Sequence, residues 1–376
     1  GIGYARVMRR KQIFVATSSV GPGSTNMVTA AAVALSNRLP ILLLPGDTFA
    51  NRFPDPVLQQ VENFYSPTIT QNDSFKAVSK YFDRITRPEQ ILTSLPQAVQ
   101  MMLDQADCGP ATLSISQDVQ GEAFDYPEIF FEEKIHEIRR IYPDQNQLKK
   151  AAEVIKNSKQ PIIISGGGVL YSEAEKELSD FAKKHNIPVM PTAMGIGCMD
   201  KDDPYYIGPI GCLGVGSSNS LSKDTDLALA IGTKLGDFTT GSWSNFHNPD
   251  FKLVSINAAR FDVTKHRATP VVSDAKVGLR ELTKKLDDWK APAKWYERAR
   301  KEAKEWDQYV AKASGPTNQE LPTYAHAVGA VYRNADPSDV VVTAAGGLVG
   351  EAVQIWKPKQ INTFETEWGF SCMGYE

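Results

Sequence analysis

Thr17-Ser18-Ser19-Val20-Gly21-Pro22-Gly23-Ser24-Thr25-Asn26 lies between the apolar run Ile13-Phe14-Val15-Ala16-Thr17 and the alanine-rich stretch Met27 to Ser36. The first flank predicts a buried strand, and the second predicts a helix ending near Asn37. A Gly-Pro-Gly turn between two such elements holds backbone close to something, which points to a cofactor or a facing subunit. Arg38-Leu39-Pro40 resets the chain before a second apolar strand, Ile41 to Leu44, closed by Pro45-Gly46-Asp47. Pro88 to Leu103 has amphipathic spacing, and Ala111 to Ile115 follows the turn at Cys108-Gly109-Pro110 as a third strand. Short apolar strands alternating with helices predict a mostly parallel sheet covered on both faces.

The pattern repeats further along. Glu128 to Pro143 is charged and aromatic and predicts an exposed connector. Beyond it come a helix at Leu148 to Ile155, a strand at Pro161 to Ile164 and a turn at Ser165-Gly166-Gly167-Gly168. A helix at Ala174 to His185 and strands at Ile187 to Met190, Leu227 to Gly232 and Lys252 to Asn257 follow. Sites in such repeated units are expected at strand carboxyl ends. Asp288 to Gln319 carries Trp289, Trp295 and Trp306 among charged residues and predicts a surface helix and linker that covers a joint without forming a core. A third unit opens at Leu321, with a helix at Tyr324 to Tyr332, a strand at Asp339 to Thr343, the turn Ala344 to Gly350 and a strand-like Ile361 to Phe364. The expected division is 1–128, 129–287, a linker at 288–320, and 321–376.

With 376 residues, 42% hydrophobic and 23% charged, and a formal charge of -3, the chain reads as globular with two or three domains. Its cations are not clustered, so no nucleic-acid partner is expected. The longest apolar runs, such as Leu39 to Pro45, are far below the roughly 20 residues of a membrane helix, and no membrane partner is expected. Cysteines at 108, 198, 212 and 372 form no disulfide framework or zinc pattern, and a cytoplasmic setting is expected.

Familiar catalytic patterns are missing. Histidines at 136, 185, 247, 266 and 326 have no HxH or HExxH spacing, and Gly21 to Thr25 is not a GxSxG nucleophile elbow. Asp200, Asp202 and Asp203 read as a solvated face. Gly166-Gly167-Gly168 lacks the spacing of a phosphate-binding fingerprint, so turn packing is favoured over a phosphate cradle. Gly346-Gly347 follows a strand, and its backbone N–H groups suit a diphosphate as well as they suit a plain turn.

The run from Thr17 to Asn26, followed by Arg38-Leu39-Pro40-Ile41-Leu42-Leu43-Leu44-Pro45-Gly46, resembles the pyrimidine-binding domain of thiamine-diphosphate enzymes related to acetolactate synthase. Pro161 to Leu170, Ala230-Ile231-Gly232 and Val254 to Asn257 resemble the family's middle domain. Ala344 to Ala352 and Trp368 to Gly374 resemble the start of its diphosphate-binding domain. The implied fold is α/β, with three Rossmann-like parallel-sheet domains of which the first and third are expected to be incomplete in this chain. Gly3-Tyr4-Ala5-Arg6 resembles the end of the helix after the activating glutamate, which is expected upstream of Gly1.

Pro45 to Arg52, Pro54 to Glu62 and Tyr81 to Pro88 resemble the branch of that family that acts hydrolytically in inositol catabolism. That resemblance implies a small cyclic polyol dione as substrate, cleavage between its two ring carbonyls, and 5-deoxy-glucuronic acid as product. It also implies thiamine diphosphate (ThDP) and Mg2+ as cofactors, with the metal ligands beyond the chain, and a homodimer or homotetramer with active sites between subunits. By the same resemblance, Pro22, Gly23 and Asn26 line the pyrimidine side, and Gln59 or Gln60 approaches the reacting carbon. Gly346, Gly347 and Leu348 lie near the diphosphate, Met373 and Gly374 support the pyrimidine, and Asn51 and Arg52 contact substrate. An acetolactate-synthase-like carboligase and a non-catalytic scaffold of the same fold stay open, as does a flavin in the middle domain.

Overall fold

A computed structural model describes residues 1–376. Its contacts divide the chain into two compact units, Gly1–Arg139 with Gly369–Ser371, and Arg140–Trp368 with Cys372–Glu376.

In the first unit, β1 (Phe14–Ser18), β2 (Ile41–Asp47), β3 (Tyr81–Ile85) and β4 (Ala111–Ser116) form a fully parallel sheet in the order β1-β2-β4-β3. Alternate residues of a strand face opposite sides of a sheet. Leu42 accordingly joins Leu113, Ala98 and Met102 on one side, while Ile41 and Leu43 pack with Ala31, Ala34 and Phe75 on the other. With both faces covered by helices, Val28–Asn37 and Ile91–Met102 among them, the interior strand β2 is apolar from Ile41 to Leu44.

Three expectations change here. The strand after Ile13 is an edge strand, with Phe14 48% and Val15 51% exposed, because only β2 pairs with it. β2 does not close at Pro45. Pro45 lies opposite Ser18, while Gly46 and Asp47 register with Ile115 and Ser116 of β4, which carries the strand through the supposed turn. β3 was not anticipated, since Tyr-Phe-Asp-Arg-Ile is no apolar run. Its charged residues find partners in the fold, Asp83 with Ser94 and Arg84 with Asp47.

The second unit holds β5 (Pro161–Ser165), β6 (Val189–Pro191), β7 (Leu227–Ile231), β8 (Lys252–Asn257) and β9 (Thr269–Val272), parallel in the order β6-β5-β7-β8-β9. One face packs on the helices Gln145–Lys156, Glu175–His185 and Ala275–Leu286 through Leu148, Leu178, Phe181 and Leu282. The first and last of these helices start on Asp144 and Asp274, whose carboxylates accept two backbone N–H groups each. β9 also escaped sequence reading; its Pro270 is tolerated on an edge strand.

The helix Ala293–Ala313 covers the opposite face. The aromatic linker expected to form no core therefore does form one: Trp295, 4% exposed, packs with Ile162, Ile164 and Met190 and donates its indole N–H to the Pro161 carbonyl at 2.9 Å. β10 (Val341–Thr343) and β11 (Phe364–Thr366) make a separate parallel pair; β10 is shorter than its predicted run, and β11 starts at the last residue of the predicted Ile361 to Phe364 and continues beyond it. The helices Tyr324–Asn334 and Gly347–Ile355 pack with them around Ile196, Val328, Val353, Trp356 and Phe364. No helix is long and apolar enough to cross a membrane.

Candidate active site

The Gly-Pro-Gly turn follows β1 as expected, and Pro22–Thr25 forms a single helical turn. Gly21 has φ +75°, and a Cβ there would lie 2.1 Å from the carbonyl oxygen of Gln59 and 2.8 Å from its Cβ. Only glycine permits both the conformation and the approach. Ser24 Oγ and Thr25 Oγ1 donate to the Gly21 carbonyl at 2.9 and 3.2 Å, so the turn carries its own bracing. Pro22 and Asn26 are exposed and Gly23 is half-buried. The structure thus brings the turn and Gln59 together, across 38 residues of sequence.

Gln59 belongs to an arch from Thr48 to Ile69 that carries Asn51, Arg52 and Gln60 as well. The arch is mostly irregular, and Phe53, Leu58, Phe64 and Tyr65 stand exposed on it. Its polar side chains differ in employment. Gln60 Oε1 accepts from the Val57 N–H at 2.9 Å, and Gln60 Nε2 donates to Asp55 at 3.3 Å, so this glutamine braces the arch internally. Asn51 Oδ1 likewise accepts from the Phe53 N–H at 2.8 Å. Gln59, with φ +72°, and Arg52, with φ +59°, are exposed and make no such internal bond.

Both ends of the arch are tied to the sheet. Asp118, just beyond β4, accepts the Ala50 and Asn51 N–H groups at 2.8 and 3.1 Å. Although partial burial works against its charge, these amides hold its carboxyl below the usual range. At the other end the Arg84 guanidinium donates to Asp47 at 2.7 Å, to Asp73 at 2.9 Å, to Thr70 Oγ1 at 3.0 Å and to the Thr68 carbonyl at 3.2 Å. Asp47 is fully buried and also accepts from Ser114 Oγ at 2.6 Å. Burial disfavours the charged guanidinium, yet Asp47 and Asp73 outweigh it and raise its pKa. Asp47, Arg84 and Asp118 were not singled out from sequence; they pair across 37 and 67 residues, and no spacing rule reaches that far.

In the second unit, the helix Gly347–Ile355 begins directly after β10 at Gly346, whose φ of +127° and ψ of 177° suit glycine alone. No side chain caps this helix, and space is open where a Cβ of Gly346 would stand. The first N–H groups of a helix lack internal partners and carry partial positive charge. Those of Gly347, Leu348 and Val349 therefore fit an anionic group such as a diphosphate, and Thr343 Oγ1, at the end of β10, is buried without a hydrogen-bond partner. Met373, 81% exposed, and Gly374, with φ +86°, come after β11 in sequence, just beyond Cys372, whose N–H donates to the Glu367 carboxylate at 2.7 Å.

Gly166-Gly167-Gly168 has the packing role. Gly166 and Gly168 donate their N–H groups to Ile231 and Gly232, and a Cβ at Gly168 would stand 2.6 Å from Gly232 Cα. The three residues let β5 and β7 end in close contact. No group of three or more His, Cys, Asp or Glu is arranged to hold a metal ion. Cys198 is buried, and its thiol is pushed up to about 12 by desolvation, which makes it unreactive.

Residues 148–282 match the model of the thiamine pyrophosphate enzyme central domain. Across its whole length the chain is 41% identical to the 3D-(3,5/4)-trihydroxycyclohexane-1,2-dione hydrolase of Clostridium tetani, of which it covers 62%. It is 40% identical, again over 100% of its length and 62% of the relative, to the protein of the same name from Geobacillus thermodenitrificans. With that of Bacillus anthracis it shares 39% identity over 99% of its length and 62% of the relative. The chain thus spans less than two thirds of the curated relatives it matches.

Proposed function

We propose, from the premise that this chain belongs to the thiamine pyrophosphate enzyme family, that it is the larger part of a ThDP-dependent hydrolase. Its reaction is cleavage of the carbon–carbon bond between the two carbonyls of 3D-(3,5/4)-trihydroxycyclohexane-1,2-dione by water, giving 5-deoxy-glucuronic acid. The observation that carries this reading is 39 to 41% identity, sustained over the full chain, to relatives that share that one activity in their names.

The residues take the following parts. ThDP, when bound, supplies the electron sink that cleavage beside a carbonyl requires. The N–H groups of Gly347, Leu348 and Val349 would hold diphosphate oxygens. Pro22, Gly23 and Asn26 line the pyrimidine side, and Met373 and Gly374 support the ring. Gln59, rather than the internally bonded Gln60, turns its amide to the reacting carbonyl. An amide N–H there stabilises negative charge on the carbonyl oxygen as it develops. Arg52 polarises the second ketone, and Asn51 hydrogen-bonds ring hydroxyls. The site forms between subunits of a cytoplasmic homodimer or homotetramer.

The test uses the full-length protein with ThDP and Mg2+, following acid release from the dione. Acid is expected, with Gln59→Ala lowering kcat about 10²-fold, the scale of one lost oxyanion donor. Gln60→Ala is expected to act chiefly on KM. Acetolactate formation from pyruvate without acid release from the dione would replace this reading by a carboligase.

A further inference from the structure

A long exposed loop has many accessible shapes, and holding one of them requires fixed ends. The braces inside the arch, at Asn51, Gln60 and Asn63, reach only two to five residues along the chain and leave it free to swing as a body. Its hydrogen bonds to the sheet are concentrated at the two ends. Arg84 is placed to serve both, because its Nε meets Asp47, where the chain leaves β2, while its Nη groups meet Thr68, Thr70 and Asp73, where the arch returns. Thr70 and Asp73 complete the return with a reciprocal cap, in which Asp73 accepts the Thr70 N–H at 2.7 Å. Asp118 fixes the outgoing end a second time, at Ala50 and Asn51.

We propose that Arg84 and Asp118 are positioning residues that pin the two ends of the Thr48–Ile69 arch and so hold Gln59 against Gly21. Neither touches the reacting atoms. The inference rests on the role proposed for Gln59. A lysine at 84 keeps the charge but loses the planar fork, and a point charge does not engage Asp47, Asp73 and the Thr68 carbonyl together. An asparagine at 118 keeps one acceptor oxygen and loses the other along with the charge.

The experiment compares full-length wild type with Arg84→Lys and Asp118→Asn by hydrogen exchange and by steady-state kinetics on the dione. Exchange in peptides within 48–70 is expected to quicken about tenfold while peptides of β2 and β4 stay unchanged, as for local opening. With the arch loosened, kcat is expected to fall at least about tenfold, while ThDP affinity, followed by tryptophan fluorescence, stays within about twofold. Unchanged exchange in 48–70, or a quickened arch with unaltered kcat and KM, would overturn the proposal. Asp118→Asn, at a partly exposed residue, decides alone where Arg84→Lys does not fold. Wild-type protein that leaves the dione untouched would sink the proposed reaction, while the exchange contrast would still decide whether these residues hold the arch.

Discussion

Gly21 carries two constraints at once, a φ of +75° and the Gln59 carbonyl 2.1 Å from where a Cβ would be. The second matters more, since a backbone oxygen moves only if the arch moves. Gly21→Ala is therefore expected to cost about 1–3 kcal/mol of stability, the scale of a strained non-glycine residue. It should also lower kcat by displacing Gln59. Thermal unfolding and kinetics measure the two effects, and unchanged values for both would mean that the arch yields freely. By contrast, Gly346 has open space around it, so its requirement is conformational alone.

The helix Glu175–His185 ends on a buried histidine. His185 Nδ1 lies 2.8 Å from the Trp289 carbonyl, which can only accept, so Nδ1 carries the proton of the neutral ring. Nε2 is buried without a partner, and protonating it would place a charge there. Desolvation, aided by Lys184 and Lys290, lowers the pKa below 6.5 despite the opposing Trp289 bond. A base depressed in the folded state binds its proton more readily when unfolded. Stability should therefore fall as pH drops below 6.5 and level off once the folded state itself protonates. Melting temperatures between about pH 7 and 5 are expected to show this slope, and His185→Gln to flatten it. An identical slope in that variant would assign it to other groups.

Across the whole molecule the connector 132–139 has no regular structure and is exposed, with Ile135 at 85%. Trypsin is expected to cut first after Lys134 and Arg139. Arg140 should resist, because its guanidinium holds the Ser172 carbonyl and Asp274 at 2.7 and 2.9 Å. Early cuts elsewhere, read by mass spectrometry, would contradict that order. The sequence alone determined that alternating apolar strands and helices build parallel α/β layers, and where glycines interrupt them. Burial on both faces favours apolar runs in interior strands, and Ile41 to Leu44, Pro161 to Ile164 and Leu227 to Ile231 are legible for that reason. The candidate turn at Gly21 was legible too, because glycine marks backbone demands that are local, whereas the stretch Ala344 to Gly350, read as a turn, enters a helix at Gly347. Edge strands β3 and β9 were not, since an edge needs no apolar run. Nor was the internal bonding of Gln60 within the arch, or the anchoring by Asp47, Arg84 and Asp118. Those depend on which side chains meet across dozens of residues, and only the tertiary structure decides that, because hydrogen bonds form at distances the fold sets and sequence spacing does not.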